Sequence, residues 1–459
     1  MIAYLFARKF VKKQSRPCPD FLTIEINFMT KLRHVLYLLI FSAGLVRGFS
    51  QTANVYSVRD YGAKGDGTTD DTVAFQKALD AAGQAHEGTV MADRGNYYFA
   101  GHLVVPNAVT LQGMWKSVPS HLGFRNRDRA KPTDEGTTFL ITENEGKENG
   151  EPFIRLNDNS TLSGVVLFYP LQQKTNTPSP YPYAIATRGK NPAVLDVELL
   201  NPYNGIDTTG SERHLLRNIS GQPLRRGVYV DNILDVGRIE NVHFNPWWSG
   251  AGNNAAYQWQ LENGEAFIFG RSDWEYVLNT FCFGYKVGYK FIHTARGECN
   301  GNFLGIGADD CFTAVTVEQS APFGLLISNG EFTSFHGPDP TMVDVQGGNR
   351  GAVRFVNCAF WGPCNQIAKI AGRGTVGFSD CTFCSWDHAN EGRAAVQAVA
   401  GSVLVRGCEF QMNKPQVELG TNVLRAVIAD NLIKGRLRIK NNSSRQFQIH
   451  DNASDESQP

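Results

Sequence analysis

The sequence predicts an all-β protein built from stacked structural repeats, and three observations carry that prediction. The first is a pattern of apolar, small and large apolar residues, seen most clearly at 354–360, which read RFVNCAF. The second is its recurrence, because marker residues at 329, 357, 380, 407 and 430 give a repeat of roughly 23 to 28 residues. The third is composition, since 46 Gly and 29 Phe accompany few apolar stretches with helical period. Each such repeat buries its apolar face only by stacking on its neighbours.

The first 50 residues are expected to be a leader and signal peptide that the mature protein lacks. Met29 is the expected start, and it precedes a basic segment and an apolar run at 35–46, about 12 residues, too short to span a bilayer. Small residues follow at signal-peptidase spacing, so Gln51 is the expected mature N-terminus. The protein is therefore expected to be secreted or periplasmic, with no membrane association after cleavage. A membrane anchor is the alternative.

Charge and cysteine content narrow the expected partners and cofactors. Lys+Arg and Asp+Glu both number 44, so nothing points to nucleic acid as a partner. A lone CxxC at Cys381 and Cys384 has no second motif, so neither a zinc site nor another metal is expected. Three cysteines share one column of the repeat and are expected to be small buried residues: Cys358, Cys381 and Cys408. Two disulfides remain open alternatives: Cys364 with Cys384, and Cys299 with Cys311.

Residues 55–82 predict a strand, a tight glycine-rich turn and a short amphipathic helix. Asp70 is the expected N-cap of this helix. Its apolar stripe has the spacing i, i+3, i+4 and i+7: Phe75, Ala78, Leu79 and Ala82. The nearby aspartates do not have EF-hand spacing, so capping and turn formation explain them better than calcium does. A solenoid needs a cap over its first open repeat, and this helix would provide one.

Two runs near the start carry a specific resemblance. Residues 60–79 read DYGAKGDGTTDDTVAFQKAL, and residues 88–113 read GTVMADRGNYYFAGHLVVPNAVTLQG. Together they resemble the opening of the pectate-lyase-like superfamily. The resemblance implies a right-handed parallel β-helix, which is assigned to residues 51–450 with the N-terminal helix as its cap. The polar composition of residues 451–459 predicts a disordered tail. It implies little about activity, because this fold carries hydrolases, lyases, epimerases and phage tailspikes.

A tryptophan-rich insertion at 245–275 interrupts the repeat. Four tryptophans lie among Asn, Gly, Glu and Asp and are candidates for contact with sugar rings: Trp247, Trp248, Trp259 and Trp274. Packing of these side chains onto the solenoid is the alternative.

A polar column is expected on one face of the solenoid. Parallel coils stack about 4.8 Å apart, so residues at one offset from successive markers line up. With Asn302 and Asn329 as markers, the seventh residue is Asp309 in one coil and His336 in the next. Further coils add candidates at similar offsets: Cys364, Asn365, Asp387, His388 and Lys414.

The stretch NFLGIGADDC resembles the signature of polygalacturonase-type glycoside hydrolases, which have Gly-Asp-Asp-Cys on one coil and Gly-His-Gly on the next. Asp309, Asp310 and Cys311 match the first motif, with Ala308 in place of its glycine, and His336 matches part of the second. The resemblance implies that one Asp protonates the leaving oxygen while other carboxylates activate water. A solvated turn pair and a loop histidine are the alternatives.

The match to that family is incomplete. Its Asn-Thr-Asp motif is absent, and Tyr285 and Lys286 stand at the equivalent segment. Glu331 is the candidate for the missing second carboxylate. Residues expected to contact substrate beside the tryptophans are the following: Lys286, Asp387 and His388.

The resemblance therefore implies an exported enzyme that hydrolyses an acidic or plant-type polysaccharide, without a cofactor, as a monomer or homotrimer. A lyase or epimerase of the same fold is the first alternative, and only a lyase would call for calcium. A glycan-binding or tailspike-like β-helix without catalysis is the second.

Overall fold

The computed structural model describes residues 54–118 and 135–456, and these form a parallel β-helix. This confirms the fold class predicted from the repeat and the resemblance. The predicted leader at residues 1–50 and the predicted mature N-terminus at Gln51 lie outside the described residues.

The strands fall into three faces that run the length of the solenoid. In chain order the first twenty are β1 Val55–Ser57, β2 Asp66–Asp70, β3 Gly88–Met91, β4 Gly95–Phe99, β5 Leu103–Val105, β6 Val109–Gln112, β7 Thr137–Ile141, β8 Ile154–Leu156, β9 Thr161–Ser163, β10 Val166–Phe168, β11 Tyr183–Thr187, β12 Gly189–Lys190, β13 Ala193–Leu199, β14 Asn204–Asp207, β15 Ser211–Glu212, β16 Leu215–Gly221, β17 Arg226–Val230, β18 Arg238–Phe244, β19 Glu265–Phe269 and β20 Ser272–Leu278. The others are β21 Phe281–Phe283, β22 Val287–Phe291, β23 Cys299–Leu304, β24 Gly307–Cys311, β25 Thr313–Val317, β26 Leu325–Ser328, β27 Glu331–Ser334, β28 Thr341–Val345, β29 Ala352–Val356, β30 Ala359–Phe360, β31 Gln366–Ile370, β32 Thr375–Ser379, β33 Thr382–Phe383, β34 Val396–Arg406, β35 Glu409–Phe410, β36 Val417–Ala429, β37 Leu432–Ile433, β38 Ile439–Asn441, β39 Gln448–His450 and β40 Ala453–Ser454.

Pairing between successive coils defines the faces. The first face includes β18, β20, β23, β26, β29 and β32. The second face includes β21, β24, β27, β30, β33, β35, β37 and β40. The third face includes β11, β14, β17, β19, β22, β25, β28 and β31. Two α-helices, α1 Thr72–Gln84 and α2 Ala255–Asn263, and a 3-10 helix at Val58–Tyr61 complete the described elements.

The marker residues occupy the turn between the first and second faces. Asn329, Asn357, Asp380 and Asp430 have φ between 51° and 60°, a left-handed conformation that Asn and Asp tolerate better than other side chains. The Asn357 amide Nδ2 donates to Asn329 Oδ1 on the preceding coil at 2.8 Å. The sequence period is therefore the period of this turn.

One marker was assigned wrongly. Asn302 lies inside β23, and the left-handed turn of its coil is at Gly305, with φ 65°. Gly fills this turn as it does at the marker position 407, but Asn302 lies close to the expected spacing and was taken as the marker instead.

Aromatic side chains and thiols fill the interior. Phe355 and Phe378 stack with ring centroids 5.1 Å apart and an interplanar angle of 7°. The column of three cysteines is buried, as predicted. All eight cysteines in the described part of the chain are unpaired, so neither candidate disulfide forms there. Burial raises the pKa of the Cys364 thiol to about 12.

Helix α1 covers the first coils, as predicted. Phe75 packs edge-on against Tyr97, Phe99 and Phe139, with centroid distances of 4.9, 5.0 and 5.5 Å. All four residues of the predicted apolar stripe are buried. The solenoid therefore begins with a hydrophobic cap rather than an open core.

The N-cap residue differs from the prediction by one position. The cap is Asp71, whose carboxylate accepts from the amides of Lys64 at 2.6 Å and Gly65 at 3.0 Å. Asp70 Oδ1 accepts from the Thr72 amide at 3.0 Å. These aspartates stabilise the turn and the helix start.

The C-terminal boundary of the solenoid also differs. β40 pairs with β37, and Asp451 has the left-handed φ of a marker turn. The expectation of a disordered tail from residue 451 is therefore wrong for residues 451–456. The side chains of residues 451–456 are exposed or partly exposed, which agrees with their polar composition.

Candidate functional site

A β-bulge presents two adjacent carboxylates on the second face. β24 and β27 pair at Gly307 with Glu331 and resume at Cys311 with Ser334, after a register shift. Asp309 and Asp310 thus face the single residue Thr333, and Asp310 has φ 55°. Bulges of this kind re-aim side chains out of the regular ladder.

Both carboxylate oxygens of Asp310 are engaged. His336 Nε2 lies 2.8 Å from Oδ1, and the Tyr257 hydroxyl donates to Oδ2 at 2.7 Å. The His336 side chain is 35 % exposed, and its ring lies against Phe312 with centroids 5.8 Å apart. Burial, followed by the hydrogen bond to Asp310, raises the pKa of Tyr257, so this phenol keeps its proton. Asp310 is therefore held from two sides and orients the imidazole.

Asp309 is fixed from the neighbouring coil. Thr333 Oγ1 donates to Asp309 Oδ1 at 2.7 Å and accepts from the Asp310 amide at 3.0 Å. The structure thus brings Asp309, Asp310 and His336 together, although the count that suggested this started from the wrong marker. We refer to Tyr257, Asp309, Asp310 and His336 as the acidic cluster.

Sequence reasoning missed Tyr257. It lies in the first turn of α2, where Asn254 caps the helix and accepts from the Tyr257 amide at 2.9 Å. Gly284 leaves room for the phenol, because a Cβ at this glycine would lie 2.5 Å from Tyr257 Oη. The insertion folds back over the second face. The local sequence does not predict which residue of α2 will contact Asp310 there.

Glu331 and Lys286 stand apart from the hydrogen-bonded cluster. Glu331 is exposed at the start of β27, two residues before Thr333, and Lys286 is exposed just before β22. Neither side chain forms a hydrogen bond or ion pair with the described residues. Glu331 shares the outward face of its strand with Thr333, since strand side chains alternate.

The four tryptophans lie in different surroundings, and three of them pack against other side chains, which was the alternative to contact with sugar rings. Trp248 is 3 % exposed and packs in a small hydrophobic cluster, so it has no face for a sugar. Trp247 packs against His243 and Trp259 against Tyr203, with ring centroids 4.7 and 5.5 Å apart. Trp274 is exposed, but on the first face. The segment 245–275 is not simply a loop, because it contains α2 and β19.

Asp387 serves its own loop rather than a ligand. It is 3 % exposed, and its carboxylate accepts from the amides of Glu391 at 2.9 Å and Gly392 at 3.1 Å. The proposed role of Asp387 in substrate contact is therefore wrong. His388 is exposed next to it, and its amide donates to the Cys364 carbonyl at 3.1 Å.

The third face carries a groove that sequence reasoning did not find. Its cavity is about 460 Å³, and its lining combines cations, carboxylates and phenols: Tyr183, Asp207, Thr209, Arg225, Arg226, Tyr229, Glu265, Ile268, Lys290 and Ile292. The residues come from successive coils in register, since Arg226 pairs with Glu265, and Tyr229 with Ile268 and then Lys290. We refer to this cavity as the third-face groove.

The charged side chains of the third-face groove form ion pairs with carboxylates. Arg226 Nη1 lies 2.8 Å from Glu148 Oε1, and Lys290 Nζ lies 2.9 Å from Glu265 Oε1. Burial raises the pKa of Tyr183 and outweighs the opposing effect of Arg226. Burial also raises the pKa of Tyr229. Both phenols therefore stay protonated beside the cations of Arg226 and Lys290.

The outward residues of the third-face strands could have indicated the groove, but only after the coils are aligned by their strand pairing. Outward positions of β17 and β22 hold Tyr229 and Lys290, and the two strands are separated in sequence by β18, α2, β19, β20 and β21. Once the coils are aligned the column is evident, whereas the unaligned sequence scatters it over more than 100 residues.

The described residues provide neither a metal-binding cluster nor a membrane-spanning helix. Within residues 54–118 and 135–456, no three His, Cys, Asp or Glu side chains are placed to hold a metal ion together. In the same part of the chain, no helix is both long enough and apolar enough to cross a membrane.

The N-terminal part of the described β-helix is similar to a known family of pectate-lyase-like proteins. Residues 55–192 match the family described as rhamnogalacturonase A/epimerase, pectate lyase-like.

A short stretch of the chain is similar to two enzymes of Azotobacter vinelandii. Over 46 residues, 10 % of this chain, the sequence is 56 % identical to alginate lyase 7 of Azotobacter vinelandii and 52 % identical to mannuronan C5-epimerase AlgE1 of the same organism. The matches span only 5 % and 3 % of those two proteins. The N-terminal fragment of bacteriophage Phi29 gene product 12 has a similar fold, with a TM-score of 0.57, 16 % identity, and coverage of 88 % of this chain and 69 % of that chain.

Proposed function

We propose that the protein is an enzyme that acts on an acidic polysaccharide bound along the third-face groove. The observation that carries this proposal is the lining of the groove, where Arg226 and Lys290 lie beside Tyr183 and Tyr229. Guanidinium and ammonium groups bind carboxylates, and a tyrosine offers a sugar both an apolar ring and a hydroxyl. A chain of uronate residues presents both features. The family description and the named relatives, a lyase and an epimerase of uronate polymers, support the same substrate class.

For the reaction we propose hydrolysis of a glycosidic bond at the acidic cluster. Asp310 has both oxygens engaged, so its role is to position His336, which is partly exposed and can hold a proton for the leaving oxygen. Asp309 Oδ2 forms no hydrogen bond with the described residues, so this carboxylate can accept a proton from water.

Glu331 remains the candidate second carboxylate. It is displaced from Asp309 by one coil and two strand positions, which gives about 8 Å between their Cα atoms. Inverting hydrolysis uses two carboxylates roughly 6.5–9.5 Å apart. The backbone spacing is therefore compatible with water held between them.

Helix α2 connects the groove to the cluster. The Asn263 carbonyl, at its C-terminal end, accepts from Arg225 Nη1 at 2.8 Å, and Arg225 lines the groove. Tyr257, in its first turn, donates to Asp310. The two residues are six positions apart, about 9 Å along a helix. A short oligosaccharide spans such a distance, so one chain could occupy the groove and reach the cluster.

β-Elimination or epimerisation within the groove is the second candidate, and the protonated phenols favour it. A carboxylate of the groove, Asp207 or Glu265, would accept the C5 proton of a uronate. Tyr183 or Tyr229 would donate a proton to the departing oxygen in elimination. Arg226 and Lys290 would neutralise the carboxylate and so stabilise the charge that develops at C5. Calcium is considered only for this route.

The test separates the two reactions. Polygalacturonate and alginate are incubated with the protein, with and without added calcium, and reducing ends are measured beside absorbance near 235 nm, an approximate wavelength for unsaturated uronates. Hydrolysis yields reducing ends without absorbance, whereas elimination yields both. Asp309→Asn is expected to lower hydrolysis by about 10²–10⁴-fold. Asp380→Asn, an exposed marker residue, is the matched control. Full hydrolysis by the Asp309 variant would remove that residue from the mechanism.

The Arg226→Gln variant tests the groove. Loss of one cation is expected to raise KM for a polyuronate by roughly 10- to 150-fold, because a charge-assisted hydrogen bond contributes roughly 1.5–3 kcal/mol. An unchanged KM would contradict binding in the groove. Binding of these polymers with no new reducing ends, no unsaturated product and no inversion at C5 by proton NMR would favour the glycan-binding or tailspike-like alternative.

Export and a monomeric or homotrimeric state are also proposed. N-terminal sequencing of protein recovered from medium or periplasm should begin near Gln51, and light scattering of that material measures the mass. Protein that keeps Met29 and stays in the cytosol would contradict export.

A further inference from the structure

A second pocket lies on the first face, away from the acidic cluster and the third-face groove. Its volume is about 420 Å³, and it is lined by aromatic, aliphatic and amide groups: Asp273, Trp274, Asn300, Gly301, Asn302, Phe323, Gly324 and Leu326. We refer to it as the first-face pocket. We propose that it binds neutral sugar residues of a glycan chain, independently of the proposed acidic substrate.

The aromatic groups are unusually open to solvent. Trp274 is 58 % exposed, Phe323 is 70 % exposed and Leu326 is 47 % exposed. Leaving such large apolar surfaces in water is unfavourable, and exposed aromatic side chains with polar neighbours mark binding sites more often than isolated exposed residues do. The apolar C–H faces of pyranose rings are a suitable occupant.

The backbone holds Trp274 in a position that an aromatic residue rarely adopts. The pairing of β20 with β23 shifts register between Ser272 and Glu275, so Asp273 and Trp274 form a bulge. Trp274 has φ 61°, in the left-handed region that disfavours bulky side chains. A strained, re-aimed tryptophan within a pocket is a feature that function can explain and that folding alone does not require.

The polar groups of the pocket suit hydroxyls rather than carboxylates. In the orientation that satisfies its neighbours, the Asn300 amide donates to the Ser272 carbonyl and to Asp273 Oδ1, each at 3.1 Å. Asn302 forms no side-chain hydrogen bond with the described residues, so its amide can donate to and accept from a ligand. The lining includes no Lys or Arg, and its one charged group is the Asp273 carboxylate, which would repel a uronate.

A neutral sugar fits these observations better than a second copy of the chain does. A stable interface between proteins buries about 800 Å² on each partner. The pocket instead has the volume of a small-ligand site, within the usual range of about 300–1,000 Å³.

Affinity electrophoresis of the full chain tests the proposal. The protein is run through gels that contain neutral polysaccharides, namely galactan, mannan, xylan, arabinan or mixed-linkage β-glucan, and through gels that contain polygalacturonate or alginate. We expect retardation in at least one neutral gel. Trp274→Ala and Phe323→Ala should each weaken that retardation about tenfold, as loss of a stacking ring would. Retardation in the acidic gels should be unchanged.

The controls make each outcome informative. Trp361→Ala removes another exposed tryptophan, outside the pocket, and should keep the neutral retardation. Melting temperatures of all variants are measured, and because the two pocket aromatics are exposed we expect them to stay near the wild-type value. No retardation by any neutral polysaccharide would overturn the proposal, as would retention in both pocket variants. Light scattering that shows a dimer lost in Trp274→Ala would overturn it in favour of self-association. Failure of polyuronate turnover would leave this test unaffected.

Discussion

A buried ion pair supports the bulge that carries Trp274, and its removal gives a sharp prediction. His214 and Glu275 are both fully buried, with His214 Nε2 3.0 Å from Glu275 Oε1. Ser272 Oγ donates to Glu275 Oε2 at 2.6 Å, and His214 Nδ1 lies 2.9 Å from the Ser211 carbonyl oxygen. Both nitrogens of the ring face acceptors, so the imidazole is protonated. Glu275 immediately follows Trp274 in β20.

The expected effect of Glu275→Gln is large. Removing one partner of a buried ion pair costs about 3–5 kcal/mol, because the other charge remains in the interior. Burial alone would lower the pKa of His214, but the charge of Glu275 and the hydrogen bonds to Glu275 and Ser211 outweigh burial and raise it. A raised histidine pKa gives stabilisation that is complete below the unfolded value of about 6.5 and is lost as pH rises through the folded pKa.

Thermal melting from pH 5 to pH 9 measures this effect. The gap in melting temperature between wild type and Glu275→Gln should be largest near pH 5 and should narrow as the pH rises through the folded pKa. The exposed Glu331→Gln variant is the control and should match wild type throughout. Equal stability of wild type and Glu275→Gln at pH 5, or a gap that does not change with pH, would refute a charged His214.

Three further predictions test the turns and the acidic cluster. Asn357→Ala should lower the melting temperature, because a left-handed φ costs a residue other than Gly or Asn about 1 kcal/mol, whereas Asn357→Gly should stay close to wild type in the same melt. Gly284→Ala places a Cβ 2.5 Å from Tyr257 Oη and should reduce turnover by displacing the phenol, with the far-UV spectrum unchanged; undiminished turnover would contradict the role of Tyr257. Tyr257→Phe removes one of two hydrogen bonds to Asp310 and should shift the pH profile of kcat; an identical profile would show that the phenol does not influence the reaction.

The fold was predictable because the same kind of turn recurs once in each coil, and its residues give the repeat length. The turn between the first and second faces has a residue in the left-handed conformation, which few side chains tolerate. In four coils this residue is Asn329, Asn357, Asp380 or Asp430. The same logic explains the error at Asn302, since Gly305 meets the requirement and leaves no polar signal. The pattern does identify the Gly turn at 407, where Cys408 and Phe410 follow, whereas Gly305 is followed by Ile306, Gly307 and Ala308 without the large apolar residue.

The candidate sites were only partly predictable, since they depend on chain that leaves the repeat. Asp309 and Asp310 stood out as adjacent carboxylates, and His336 followed from coil stacking. Tyr257 reaches them on a helix inserted between coils, and sequence spacing does not specify where such an insertion folds back. The burial of the tryptophans could not be predicted from the sequence either. Trp247 and Trp248 are neighbours in the chain, yet only Trp248 lies in a hydrophobic cluster.

Both the acidic cluster and the first-face pocket lie where the parallel ladder is broken. In a regular coil, outward residues stand directly over those of the next coil, so stacking between like positions constrains them. The bulge at Asp309 and Asp310 and the bulge at Asp273 and Trp274 each insert residues that have no such counterpart. Their side chains are free of the stacking requirement and can be selected for ligand chemistry instead. Other register shifts, such as that between Asp66 and Asp70, are occupied by turn and cap hydrogen bonds, so a bulge alone does not make a site. What distinguishes the two candidate sites is a bulge whose side chains remain open to a ligand.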